Sequence, residues 1–229
     1  LCSVTNLYFD LAYNKDPLEP GLSWGGYVNT RSAWNYAPFD VFQSIAVDIM
    51  GNPLDIDGFY RERETLTAAG RENILGIQGE LWSETLLAPK RLEYYTFPKL
   101  LGLAERAWAP QPRWAGARDR EQAAAARADA WNRFANRLGQ QALPRLDYLY
   151  GGVDYRLPPP GAVVENGRLR ANVAFPGLTI RYTTDGSEPT ADSPRYEGPV
   201  EVSGQVKLRT FDTKGRGSRT VTVEGGVKG

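Results

Sequence analysis

Between residues 151 and 162 the sequence reads GGVDYRLPPPGA, and no regular element runs through such a stretch. Paired glycines leave the backbone unconstrained, and each proline removes a donor and fixes φ. The stretch divides the chain, and its two sides differ in kind. Upstream, apolar residues recur at helical spacing over 92–108 (Leu92, Tyr95, Leu100, Leu103, Ala104, Ala107), with Pro98 marking a kink. A second helical pattern, alanine-rich, covers 121–138, with Trp131, Phe134 and Leu138 on one face. Downstream there is no helical period. The runs RLRANVAF, TIRYTTD, VEVSG, QVKLRTFD and RTVTVE alternate with turns at Asp185-Gly186 and Lys214-Gly215. About seven short strands in about 70 residues predict a small β-sandwich. The fold class is α/β followed by all-β, with domains at 1–152 and 153–229.

In the first domain, SVTNLYF (3–9) and ILGIQGELW (74–82) read as strands. The span between them, from 10 to about 72, is loop-rich, with turn signals DPLEPG and GNPLD. Short helices are expected near 39–47 and 61–69. Loops of such length in a compact domain are usually functional.

Both strands end in an aromatic followed two residues later by a carboxylate: Tyr8 and Asp10, Trp82 and Glu84. Side chains i and i+2 of a strand share a face. In parallel α/β barrels the C-terminal strand ends carry the active site. An aromatic ring covers the apolar face of a pyranose while carboxylates accept hydrogen bonds from its hydroxyls. Trp24 offers a second wall. On pattern alone the alternatives stay open: a Trp at a strand end is more often core than ligand wall, and Glu84 has a competing use as a cap for the segment after Ser83.

Lys plus Arg and Asp plus Glu number 27 each, so charge gives no reason to expect nucleic acid. The chain has no histidine and one cysteine, Cys2, which argues against a zinc site or a Ser-His-Asp triad and leaves no intrachain disulfide. No cofactor is expected. No apolar run reaches the ~18 residues of a membrane span. The opening LCSVTNLYFD has neither initiator Met nor signal peptide and reads as the middle of a longer protein.

The stretches NLYFD, DPLEPGLSWGGYV, GIQGELWSE and FPKLLGLAERAW, in that order, resemble glycoside hydrolase family 20, the β-N-acetylhexosaminidases. YRLPPPGA and IRYTTDGSEPT resemble the C-terminal part of bacterial chitobiases. The spacings agree, with fourteen residues from Asp10 to Trp24 and two from Trp82 to Glu84. The resemblance implies the C-terminal part of a (β/α)8 barrel, about its last two strands and helices, plus an immunoglobulin-like sandwich. It implies that Tyr8 donates its hydroxyl hydrogen to the substrate's acetamide oxygen and that Asp10 lines the pocket. Trp24 walls it, Trp82 packs under the sugar, and Glu84 holds the C4 or C6 hydroxyls. AERAW (104–108) is implied to be structural. Glu80 departs from the small or amide residue expected there.

The implied reaction is substrate-assisted hydrolysis of terminal N-acetylglucosamine or N-acetylgalactosamine from oligosaccharides such as chitobiose, an exception to the two-carboxylate glycosidase scheme. The acid of that reaction belongs to an Asp-Glu pair, and no Asp-Glu dipeptide occurs in the 229 residues. The chain alone is therefore expected to be inactive, and its exposed barrel edge to need the N-terminal part of the barrel or an oligomer partner. The resemblance implies a periplasmic or secreted location. A non-catalytic carbohydrate-binding module, through aromatics such as Tyr182 and Tyr196, is the competing reading.

Overall fold

The computed structural model describes residues 4–44, 52–55, 58, 62, 64–116 and 119–225. Its contacts divide the chain into two compact units, Leu1–Trp131 and Asn132–Gly229.

The first unit is built on helices α1 (Thr30–Trp34), α2 (Ala68–Glu72), α3 (Pro89–Thr96), α4 (Lys99–Trp108) and most of α5 (Arg120–Arg137). The kink expected at Pro98 is a full break between α3 and α4. Phe97 is extended (φ −110°, ψ 135°), as the ring of a following proline demands. The helix expected near 61–69 is displaced: residues 64–67 are not helical, the one-turn α2 begins only at Ala68, and residues 61 and 63 lie outside those described. Near 39–47 there is a 3-10 turn, Val41–Ser44, and 45–47 lie outside the described residues. Helix α1 was not expected. Its signal is local: Asn29 and Ser32 cap each other reciprocally, with Asn29 Oδ1 accepting from the Ser32 amide at 3.0 Å.

The two expected strands contract. Thr5–Leu7 is a 3-10 turn, and parallel pairing survives as one bridge, Tyr8 against Glu80. The β-rich composition of 3–9 and 74–82 does not make strands here, because parallel ladders gain stability from neighbours on both sides. Here the pair is held by packing. Leu7, Phe9, Ala33 and Tyr36 form a buried cluster, flanked by Ile77, Leu81, Leu100 and Leu103. Helices α1 and α4 touch backbone to backbone at Gly102, where a Cβ would lie 2.7 Å from the Thr30 carbonyl oxygen. Within AERAW, the Arg106 guanidinium stacks 5.2 Å from the Trp34 ring, and Trp34 in turn meets Trp131 edge-on at 5.2 Å.

In the second unit the end of α5 passes through a π-helical turn (Leu138–Ala142) into α6 (Leu143–Leu146). Among the described residues six strands follow: β1 (Gly161–Glu165), β2 (Arg168–Asn172), β3 (Thr179–Thr183), β4 (Val200–Glu201), β5 (Gly204–Phe211) and β6 (Val221–Gly225). They form two antiparallel three-stranded sheets, β1-β2-β4 and β3-β5-β6. Leu169, Ile180, Val206 and Leu208 fill the space between them. The contacts divide the chain ahead of the Gly/Pro stretch because residues after α6 are tied to a sandwich loop. Buried Asp147 accepts the Thr213 hydroxyl at 2.5 Å, and Arg216 reaches Asp212 at 2.7 Å, Asp154 at 3.1 Å and Asp147 at 3.5 Å. Among the described residues no helix is long and apolar enough to cross a membrane.

Candidate functional site

The backbone of residues 7–12 is gripped from three sides. From one side comes residue 80: its amide donates to the Leu7 carbonyl (2.8 Å), and its carbonyl accepts the Phe9 amide (2.7 Å). From the second comes Leu22, whose amide donates to the Asp10 carbonyl (3.0 Å) and whose carbonyl accepts the Ala12 amide (2.8 Å). From the third comes Lys99, the first residue of α4 and fully buried. Its ammonium donates to the carbonyls of Phe9 (2.8 Å) and Leu11 (2.7 Å). Sequence reasoning missed Lys99, since a lysine at a helix start reads as a solvated residue.

The second grip depends on Gly21. Its φ is +129°, and a Cβ there would sit 2.6 Å from the Ala12 nitrogen. Only glycine accepts both. The DPLEPG turn is fixed by side chains: Asn14 accepts the Asp16 amide (3.0 Å), Asp16 accepts the Leu18 amide (2.9 Å), and buried Glu19 accepts the Tyr94 hydroxyl (2.6 Å). The loop so formed returns Trp24 to Tyr8. Their ring centroids are 6.0 Å apart at 89°, an edge-to-face pair.

The parallel bridge sets the register. Tyr8 lies beside Glu80, and two residues further on each segment stand Asp10 and Trp82. Trp24 is 64% exposed and Trp82 54%, unusual for indoles with no solvent role. Glu84 is exposed and Tyr8 half-buried. Asp10 differs from all of them: it is 1% exposed, and neither carboxylate oxygen meets a hydrogen-bond partner in good geometry. Burial holds its pKa above the ordinary aspartate value, with the Glu84 charge adding to the rise. The nearby backbone amides of Asp10 and Trp82 and the Lys99 ammonium pull the other way. Tyr8 and Trp24 thus meet through their rings, while the Trp82 backbone amide and the Glu84 charge bear on the Asp10 carboxylate. The Glu80 side chain accepts the Gln78 amide at 2.9 Å.

The arrangement offers exposed aromatic faces beside a carboxylate held out of water, the chemistry that grips a polyol with apolar faces. Among the described residues no cluster of three His, Cys, Asp or Glu side chains could hold a metal ion. On the sandwich, Tyr182 and Tyr196 are half-buried and pack against the core, and the Tyr196 hydroxyl accepts the Ala171 amide at 3.0 Å.

Residues 1–111 match the family model described as glycosyl hydrolase family 20, catalytic domain, and residues 142–220 match the chitobiase/beta-hexosaminidase C-terminal domain. An N,N'-diacetylchitobiase of Vibrio harveyi is 34% identical over 94% of this chain and 24% of its own length. A beta-hexosaminidase of Vibrio vulnificus is 30% identical over 94% of this chain and 26% of its own. The chain thus spans about a quarter of the length of these relatives. A solved family 20 beta-N-acetylhexosaminidase from Streptomyces coelicolor A3(2) aligns with 67% of this chain and 22% of its own at 27% identity, with a TM-score of 0.32.

Proposed function

Because the chain belongs to glycosyl hydrolase family 20, we propose that it supplies one wall of the sugar pocket of an exo-acting β-N-acetylhexosaminidase. The substrate is a terminal N-acetylglucosamine or N-acetylgalactosamine on an oligosaccharide such as chitobiose. The observation that supports this reading is the Tyr8–Glu80 bridge, which sets Asp10 and the exposed Trp82 two residues beyond it on the two segments, together with the Tyr8–Trp24 ring pair and the burial of Asp10. Perturbed carboxylates in such company cluster at functional sites.

In this reading Trp82 stacks under the terminal sugar and Trp24 closes the pocket beside it. Asp10 and Glu84 accept hydrogen bonds from ring hydroxyls. The substrate's own acetamide oxygen attacks the anomeric carbon, forming an oxazolinium ring as the glycosidic C–O bond breaks. Tyr8 donates its O–H to that acetamide oxygen, contributing orientation and electrostatics rather than proton transfer. The acid that protonates the leaving oxygen comes from an Asp-Glu pair in another segment.

Residues 1–152 are then about the last two strands and helices of a (β/α)8 barrel, and residues 153–229 an immunoglobulin-like sandwich. Leu75, Leu87 and Trp108 are each 87–89% exposed, apolar surface that the remainder of the barrel, or an oligomer partner, would cover. A periplasmic or secreted enzyme suits an oligosaccharide substrate of this kind.

The test is Tyr8→Phe in the catalytically complete protein. It should fold normally and lose roughly 10²–10³ in turnover, the cost of one preorganised donor. The loss should be much smaller on a substrate without the acetamide. Equal losses on both substrates would refute the assignment of Tyr8.

A further inference from the structure

We propose that Lys99 is a positioning residue for the sugar pocket: it clamps the two carbonyls that flank Asp10 and so fixes where the Asp10 carboxylate stands. The inference rests on the pocket reading above and extends it to a residue in another element.

Lys99 occupies an adverse position. It is the first residue of α4, at the positive end of the helix dipole, and it is 0% exposed. A buried ammonium is costly unless its three donors are used. Two of them go to the Phe9 and Leu11 carbonyls at 2.8 and 2.7 Å, short charge-assisted bonds. The ammonium also lies 4.0 Å from the centroid of the Tyr13 ring. Tyr13 is itself anchored, its hydroxyl donating to the Tyr94 carbonyl at 3.1 Å.

The consequence falls on Asp10. The carbonyls of residues 9, 10 and 11 are all held, the outer two by Lys99 and the middle one by the Leu22 amide. Both peptide planes around Asp10 are therefore locked. Its own carboxylate meets no hydrogen-bond partner in good geometry, so the backbone sets its direction. Buried peptide carbonyls would otherwise tilt toward any available donor. Lys99 also acts through its charge. Among the described residues, the charged groups bearing on Asp10 are Glu84, from the turn after Trp82, and Lys99, from α4; the segment around Leu22 reaches it through backbone. Glu84 favours the neutral acid and Lys99 the carboxylate that sugar hydroxyls need.

The experiment compares Lys99→Met, Lys99→Gln and Asp10→Asn, and the Asp10→Asn/Lys99→Met double variant, in the catalytically complete protein. Each is read as kcat/KM against pH on an aryl N-acetyl-β-glucosaminide. Lys99→Met should lose about 10²-fold, the scale of a small misplacement of a positioning group. Its acid limb should move to higher pH, because removing the cation raises the Asp10 pKa. Lys99→Gln keeps amide donors for the carbonyls but no charge. It should fold even if Lys99→Met does not, lose less activity, and show the same shift of the limb. In the double variant the Lys99→Met loss should largely vanish, since its target is gone. Asp10→Asn with unchanged kinetics would sink the pocket reading and this inference with it. An impaired Asp10→Asn beside a folded Lys99→Met or Lys99→Gln with the wild-type acid limb, or strictly additive losses, would overturn this inference alone.

Discussion

At the scale of single residues, Asp10 stands out through what it costs the fold. A carboxylate without good hydrogen-bond geometry, 1% exposed, is a poor structural choice. Its raised pKa means that folding favours the protonated form. The sign follows: stability linked to Asp10 is greatest below the ordinary aspartate pKa and falls as pH rises through the raised folded value. Asp10→Asn, neutral at every pH, should therefore melt at a higher temperature than wild type at pH 7, and the difference should shrink as the pH is lowered. Calorimetric scans at several pH values check this; a variant less stable than wild type at pH 7 would show the carboxylate to be structurally engaged. The aromatic–carboxylate pairs at 8/10 and 82/84 were legible in the sequence because their i, i+2 spacing is a property of extended chain. Lys99 was not legible. Its role depends on carbonyls 88 and 90 residues away in sequence, and no local pattern encodes that meeting.

At the scale of elements, helices were easier to read than strands. The apolar spacing of 92–108 located α3 and α4 because a helix closes its hydrogen bonds within itself. The segments 3–9 and 74–82 were over-read as strands, since extended composition says nothing about how many partners lie alongside. One bridge remains, Tyr8 to Glu80, and packing of Leu7 and Phe9 does the rest. The loop between them was legible as turns, but its return path was not, and that path hangs on Gly21. Gly21→Ala would introduce a Cβ 2.6 Å from the Ala12 nitrogen at a φ of +129°. The strain should cost about 1–3 kcal/mol of stability. Trp24 should also lose its edge contact with Tyr8, which would appear as altered indole fluorescence. Denaturant unfolding that matches wild type, with an unchanged emission spectrum, would mean that the loop reaches Trp24 by another route.

At the scale of the whole molecule, the Gly/Pro stretch at 151–162 marked the change from helices to antiparallel sheets. It did not mark where the contacts divide, because Asp147 and Arg216 bind the preceding segment to the sandwich through charges far apart in sequence. We propose a division of labour in which this chain orients the sugar and another segment protonates the leaving group. General acid catalysis supplies ~10²–10⁴ in rate, and the 229 residues contain no histidine and no Asp-Glu dipeptide. The most direct measurement is hydrolysis of an aryl N-acetyl-β-glucosaminide by the purified chain, first alone and then mixed with a separately expressed upstream segment. The account predicts background rates alone and activity on mixing, with the added activity lost in Tyr8→Phe. Hydrolysis by the chain alone, free of host hexosaminidase, would place the acid within these 229 residues and contradict it.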